Sequence, residues 1–306
     1  MPLSAAPPGA SHTTAVLLAA VLWGTTGTVA HFAPDGSSPL AIGLATFGLG
    51  GLVLALLSGR RVAGVLRRRA HLGWVLAGAA GVIAYPAAYY PAMSLTGVAV
   101  GNVVALGSGP VFAALLEWAV DRRRPDARWA LATGVAVVGI ALLAVGGGAP
   151  SGRVADASTA AAGVALALVA GFGYALYAFA GARLIGRGEP ATGAMGAIFL
   201  VGGIACLALL AALGLGPLLS PAGLLTIGYL ALVPMALAYL LFGYALRALP
   251  SSSATTLALA EPVVATLLAV LVVGERPGTV GWAGLIAVAT SIVIVAAPRG
   301  LTRGSP

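Results

Sequence analysis

The 306-residue chain contains no lysine, a single cysteine and only 8% charged residues. Each scarcity removes a class of function. Without lysine there is no Gly-Lys-Ser/Thr phosphate loop, so ATP-driven pumping by this chain alone is not expected. Cys206 stands alone inside an apolar block, which rules out an intramolecular disulfide or a thiolate metal centre and leaves it as a small core residue. Soluble domains carry roughly a quarter charged residues, so this composition leaves no room for a separate catalytic domain. Only three histidines are present, and His31 and His71 fall at span ends far apart in sequence. No metal site and no cofactor are implied.

What the chain does have is apolar residues, 60% of the total, with a mean hydropathy of +1.03. Such a chain is expected to be an all-α integral membrane protein whose partners are the lipid bilayer and a small-molecule solute. A helix crosses a bilayer in about twenty residues, and ten such runs can be placed at roughly 14–32, 39–58, 71–93, 98–120, 129–146, 159–181, 191–213, 222–246, 252–273 and 279–297. Nothing basic precedes the first run, so it lacks the charged start of a cleavable signal and reads as a retained span.

The 16 basic residues, all arginine, could suggest nucleic-acid binding, but they lie mainly in short loops between spans. Fourteen of them, including Arg60, Arg61, Arg67 to Arg69 and Arg122 to Arg124, fall on one side of the membrane, leaving Arg153 and Arg276 on the other. Short translocated loops are depleted of arginine. That bias places both termini in the cytoplasm of an inner cell membrane, and no nucleic-acid partner is expected.

The chain is organised around Leu257-Ala-Leu-Ala-Glu261-Pro262-Val, where a carboxylate and a helix-breaking proline stand inside a membrane-crossing run. A related phrase, Gly109-Pro110-Val111, lies 152 residues earlier, and Pro125 stands the same distance before Pro277. Leu22-Trp23-Gly24 likewise lines up with Gly173-Tyr174-Ala175. The second half therefore reads as a copy of the first: a unit at 14–146, a Gly/Pro/Ser-rich linker at 147–158 and a unit at 159–297. Five spans is an odd number, so the copy must enter from the opposite face as an inverted repeat.

The run from Tyr229 through Pro234, Tyr239 and Arg247 to Pro250, continuing through Glu261-Pro262-Val263, Gly274-Glu275-Arg276 and Gly281-Trp282, resembles the EamA-type members of the drug/metabolite transporter superfamily. The resemblance covers nearly the whole chain. It implies two five-helix EamA repeats around a central cavity, alternating access without ATP, and export of amino acids, related metabolites or drugs. More distant relatives exchange nucleotide sugars or organic phosphates, and that is the rival reading within transport. Many members carry an arginine near the start of span two, where this chain has Leu44-Ala45-Thr46-Phe47, and Gly109 stands where the second repeat has Glu261. Both departures remove charge from the core, which favours zwitterionic or neutral solutes over strongly anionic ones. Rivals of another class are an integral-membrane enzyme, which would need His, Asp or Ser clusters at a membrane surface, and a scaffold that moves nothing.

The candidate cavity residues are the polar and aromatic side chains at span depth: Trp23, Thr26, Tyr85, Tyr89, Asn102, Ser108, Tyr174, Tyr177, Tyr239, Thr256 and Glu261. Tyrosine offers an apolar body, a hydrogen-bonding tip and a cation-attracting face. For Glu261 two readings stand side by side. It could bind a substrate amine or exchange protons, since a carboxyl held away from water can be loaded and unloaded; or it could serve as a structural acceptor for free backbone donors of a neighbouring helix. Glu117 is expected to pair with Arg122 to Arg124 or to reach solvent, and Glu275 to pair locally with Arg276. Pro86, Pro110, Pro234 and Pro262 are the candidate gating prolines, where helices could bend. Gly78, Gly81, Gly97 and Gly101 read as places where helix backbones approach.

Overall fold

The structure, a computed structural model, describes residues 8–146, 157–274 and 277–297. Among these, ten helices are long and apolar enough to cross a membrane, named here spans one to ten: Ser11–Ala30, Pro39–Ser58, Arg69–Thr96, Val100–Asp121, Ala127–Gly146, Ser158–Gly186, Ala191–Leu213, Pro221–Ala245, Ser251–Val272 and Thr279–Ala296. The chain is thus an all-α, multi-pass membrane protein. Most of the 147–158 linker, Arg153, the Glu275 and Arg276 pair, and the tail arginines Arg299 and Arg303 lie outside the described residues.

The span ends follow local chemistry. Span two opens with Pro39 behind Ser38, whose hydroxyl accepts from the Ala41 N–H at 3.4 Å, and span eight repeats this with Ser220, Pro221 and the Gly223 N–H. A proline in the first turn gives up only an N–H that has no helical acceptor. Gly97 turns the chain between spans three and four at φ 83°, and a Cβ there would meet nothing within 4 Å. Its role is a backbone conformation that side chains resist, which corrects the close-packing reading.

One helix escaped the hydropathy pattern. Arg60–Arg67, between spans two and three, is amphipathic, with Val62 and Val65 buried and its arginines exposed. It packs on the start of span seven, where Arg61 donates to the Thr192 hydroxyl at 3.2 Å.

Helix neighbours repeat when each span is exchanged for the one five places later. Span two packs on span seven and span five on span ten, each on its own counterpart. The contact of span three with span six is echoed by span eight with span one, and that of span four with span six by span nine with span one. These seams close over glycine. A Cβ on Gly203 would stand 3.1 Å from the Gly48 carbonyl oxygen, and one on Gly139 would stand 2.9 Å from that of Gly284. Lipid gives no hydrophobic drive for association, so close backbone approach supplies it.

Glu117 departs from expectation. It is only 9% exposed and makes no ion pair with Arg122 to Arg124 among the described residues. Its carboxylate accepts from the Ser251 hydroxyl at 2.6 Å, the Ser252 hydroxyl at 2.7 Å and the Ser252 N–H at 3.0 Å. It caps the first turn of span nine from span four, where a negative charge also suits the positive end of the helix. The sequence could not display this because the three serines at 251–253 look like a polar loop. Glu117→Ala strands three buried donors and is expected to cost about 2–4 kcal/mol, read as a lower unfolding temperature of the purified chain in detergent.

At the same face Glu189 is buried and receives Arg68 at 2.7 Å. His71 Nδ1 lies 2.9 Å from the same carboxylate oxygen, without hydrogen-bond geometry. Arg183 pairs with Asp121, and Trp74 lies under both Arg183 and Arg187, at 5.3 and 5.5 Å. These contacts tie the start of span three to both ends of the loop between spans six and seven.

Candidate functional site

Span nine is three helical segments, Ser251–Ala258, Glu261–Leu268 and a π-helical turn at Ala269–Val273, with a tightened join between the first two at Leu259 and Ala260. Pro262 has no N–H, so the Ala258 carbonyl loses its helical donor. Thr255 and Thr256 bond back to carbonyls three and four residues earlier, which bends a helix further. The break sets Glu261 in the first turn of a new segment, at mid-depth. Span eight widens to a π-helical turn over Ala231–Leu237 around Pro234, a common local answer to an inserted proline. Pro86 and Pro110 behave differently, since spans three and four remain helical through them.

A cavity of about 100 Å3 lies where these irregular segments face spans one, two, three, four and six. A single water needs about 10–15 Å3 of such space, so the cavity admits several waters or the head of a small solute. Of the candidates from sequence, Trp23, Thr26, Tyr85, Tyr89, Tyr174, Tyr177, Tyr239 and Glu261 line it, together with Pro234. Its walls are rings in mutual contact. Tyr85 stacks on Tyr89 at 5.2 Å and meets Tyr174 edge-on at 6.1 Å.

Three polar atoms in this wall have no hydrogen-bond partner among the described residues: Trp23 Nε1, Tyr174 Oη and the Thr46 hydroxyl, on residues 8%, 5% and 7% exposed. Buried polar groups are usually paired. Three orphans around one cavity leave hydrogen-bonding capacity that a solute or water could take up. The Glu261 carboxylate also opens into the cavity and makes no hydrogen bond or ion pair among the described residues. The backbone-acceptor reading of Glu261 therefore has no donor to support it. Gly109, its counterpart in the first half, is covered by Tyr174, whose Cδ1 would stand 2.8 Å from a Cβ there. The cavity thus holds one carboxylate, with an aromatic ring where a symmetric partner would be.

Three candidates stand behind the lining. Asn102 accepts from the Tyr89 hydroxyl at 2.6 Å and so orients that ring. Ser108 donates to the Ala105 carbonyl at 3.3 Å and packs on Gly171. Thr256 is fully buried among Trp129, Thr133 and Ser252. Sequence reasoning missed Thr46, Phe47, Leu106 and Met235, and did not select Tyr90 from the cluster at span three. Thr46 and Phe47 carried one usable signal: they occupy the place where the resembling family often has an arginine.

The cavity is closed toward the arginine-bearing face. Tyr177 and Tyr239 join their hydroxyls at 2.6 Å, Phe199 lies 4.3 Å from the Tyr239 ring, and Trp23 closes on Tyr239 and Phe242 at 5.1 and 5.4 Å. Tyr177, Phe199 and Phe242 are fully buried. Beyond this barrier a second cavity of about 750 Å3 is lined by Glu117, Asp121, Arg123, Arg183, Arg187 and Arg247 among others. No arginine lines the central cavity.

A model of the EamA-like transporter family matches the chain twice, over residues 12–145 and 161–297. The chain is 36% identical over 293 residues to a protein of Bacillus subtilis (strain 168) named "Uncharacterized transporter YwfM", covering 93% of each. A protein of known crystal structure superposes with a TM-score of 0.77 at 20% identity, covering 93% of this chain and 96% of the other. That last likeness speaks to the fold alone.

Proposed function

Because the chain belongs to the EamA-like transporter family, we propose that it is a secondary active transporter of the inner cell membrane that exports amino acids or related small metabolites and drugs bearing an amine. The single observation that carries this reading is the Glu261 carboxylate, unpartnered in a cavity walled by Trp23, Tyr85, Tyr89, Tyr174 and Tyr239. An ammonium group suits both parts, as an ion pair with the carboxylate and as a cation over ring faces. The orphaned Tyr174 and Thr46 hydroxyls and the Trp23 N–H would take the remaining polar atoms of the solute. A nucleotide sugar or organic phosphate fits less well, since Glu261 is the only charged residue among the described residues that line the cavity.

In this reading the units 14–146 and 159–297 rock against each other as inverted repeats. With both termini in the cytoplasm, the arginine-bearing face is the inner one, the larger cavity is the inner vestibule, and the Tyr177 and Tyr239 pair belongs to the inner gate. The irregular turns at Pro234 and Pro262 are the places where a gate can flex with little lost hydrogen bonding, while Pro86 and Pro110 would bend continuous helices. A proton moving through Glu261 would couple export to the proton gradient. Flux in proteoliposomes tests all of this. Amino acids or amines are expected to move, with a rate that responds to an imposed pH gradient; no flux of any amino acid, amine or lipophilic cation would sink the proposal.

The gate makes a separate prediction. Tyr177→Phe removes one hydrogen bond from the closed side, worth about 0.5–1.5 kcal/mol, and should raise the population open to the arginine-bearing face by roughly two- to tenfold. Faster labelling of a cysteine introduced in the central cavity, by a thiol reagent applied from the arginine-bearing face, would report it, and native Cys206, being buried, would contribute little background. An unchanged labelling rate would remove that hydrogen bond from the gate.

A further inference from the structure

A third hollow lies on the outside of the bundle, on the lipid side of spans four and five near the arginine-bearing face, with a volume of about 390 Å3. We propose that this groove is a binding site for one anionic phospholipid, its phosphate on Arg124 and an acyl chain between Trp118 and Trp129. The inference is independent of which solute the central cavity takes.

The groove is built by alternation of large and small side chains. Val111, Leu115 and Trp118 share one face of span four and are 42%, 47% and 48% exposed, while Ala114 beside them is 5% exposed and forms a floor. The opposite wall does not swing freely. The Trp129 indole N–H donates to the Thr256 hydroxyl at 3.0 Å and lies 3.2 Å from the Ser252 carbonyl, so span nine holds the ring from behind. Indoles at the end of a span sit at headgroup level, and a slot between two of them continues the acyl-chain region inward.

The charge is placed by the backbone. Arg122 ends span four at φ 56°, a left-handed conformation that a side chain adopts at some cost. After that turn two successive residues part company. Arg123 lines the cavity between the halves, and Arg124 lines the outer groove. Arg124 makes no ion pair or hydrogen bond among the described residues, while nearby Asp126 receives the Trp129 N–H at 2.7 Å at the start of span five. A free guanidinium above an apolar slot matches an amphiphile with a phosphate head, which the planar fork can grip with two hydrogen bonds. Basic pockets of this kind beside membrane spans recognise anionic headgroups.

The test uses the full chain in detergent, titrated with phosphatidylglycerol, phosphatidylcholine of the same acyl chains, or glycerol phosphate, and read by unfolding temperature and native mass spectrometry. Phosphatidylglycerol is expected to stabilise the chain more than phosphatidylcholine and to remain as one bound lipid. Arg124→Gln should weaken that effect about tenfold, Leu115→Trp should block it by filling the slot, and Arg123→Gln should leave it unchanged. Equal shifts from both lipids, or a full effect in Arg124→Gln, overturns the proposal. So does glycerol phosphate acting alone, which would mean an anion site with no use for the groove, and so does a dimeric mass with the groove covered by a second copy.

Discussion

Glu261→Gln is expected to reduce solute flux by roughly 30- to 1,000-fold while leaving the chain folded in the membrane. Removing one partner of a buried charge pair costs about 2–4 kcal/mol, which sets that range. The exchange keeps the size of the side chain while removing the charge and turning one acceptor oxygen into a donating amide. Among the described residues nothing answers that charge: no arginine lines the cavity and no donor reaches the carboxylate. The unfolding temperature of Glu261→Gln should therefore hold steady or rise, because an unpaired charge away from water destabilises the fold that carries it. Glu117→Ala, which breaks a satisfied cap, should move the opposite way. Two further readings complete the case. Glu261→Asp, one methylene shorter, should retain part of the flux, and any response to a pH gradient should disappear in Glu261→Gln. A variant that lost stability as Glu117→Ala does, in step with its flux, would return Glu261 to a purely structural role.

The contrast between these two glutamates explains how much the sequence could disclose. Both are acidic residues inside apolar runs, and the spans themselves are legible because a bilayer imposes length and composition on every helix. What a run does not encode is azimuth. Glu117 turns toward the serines of span nine, and Glu261 turns toward open space, yet the flanking residues are apolar in both cases. The same limit separates Tyr89, which lines the cavity, from Asn102, which holds it from behind. Helices apolar on all sides carry little amphipathic signal, so the tyrosines and Trp23 stood out while Thr46, Phe47 and Met235 did not. The break at Glu261 and Pro262 was readable because proline acts through the backbone. The helix Arg60–Arg67 was not, because its charges resemble an ordinary basic loop.

Gly173→Leu should abolish accumulation of folded protein altogether. The seam between spans three and six closes over Gly81 and Gly173, where a Cβ on Gly173 would lie 2.9 Å from the Gly81 carbonyl oxygen and 3.2 Å from the Tyr85 nitrogen. A Cβ on Gly81 would in turn press on the Gly173 carbonyl and stand 3.0 Å from the Tyr177 nitrogen. These obstacles are backbone atoms that cannot rotate away, so the helices must separate. Overpacking by even one carbon costs about 1–3 kcal/mol. Gly173→Ala should accordingly lower the unfolding temperature measurably, and the four carbons of leucine should exceed what the seam can absorb. The consequence reaches the cavity, since Tyr85 on one helix and Tyr174 and Tyr177 on the other take their positions from this contact. Gly173→Ala should thus weaken solute binding even where the chain still folds, without touching any group that lines the site. Gly134, where a Cβ would meet nothing within 4 Å, is the control. Its replacement by leucine should leave folding and flux unchanged, and equal damage from Gly134→Leu and Gly173→Leu would show that helix approach at residue 173 is not what holds the site together.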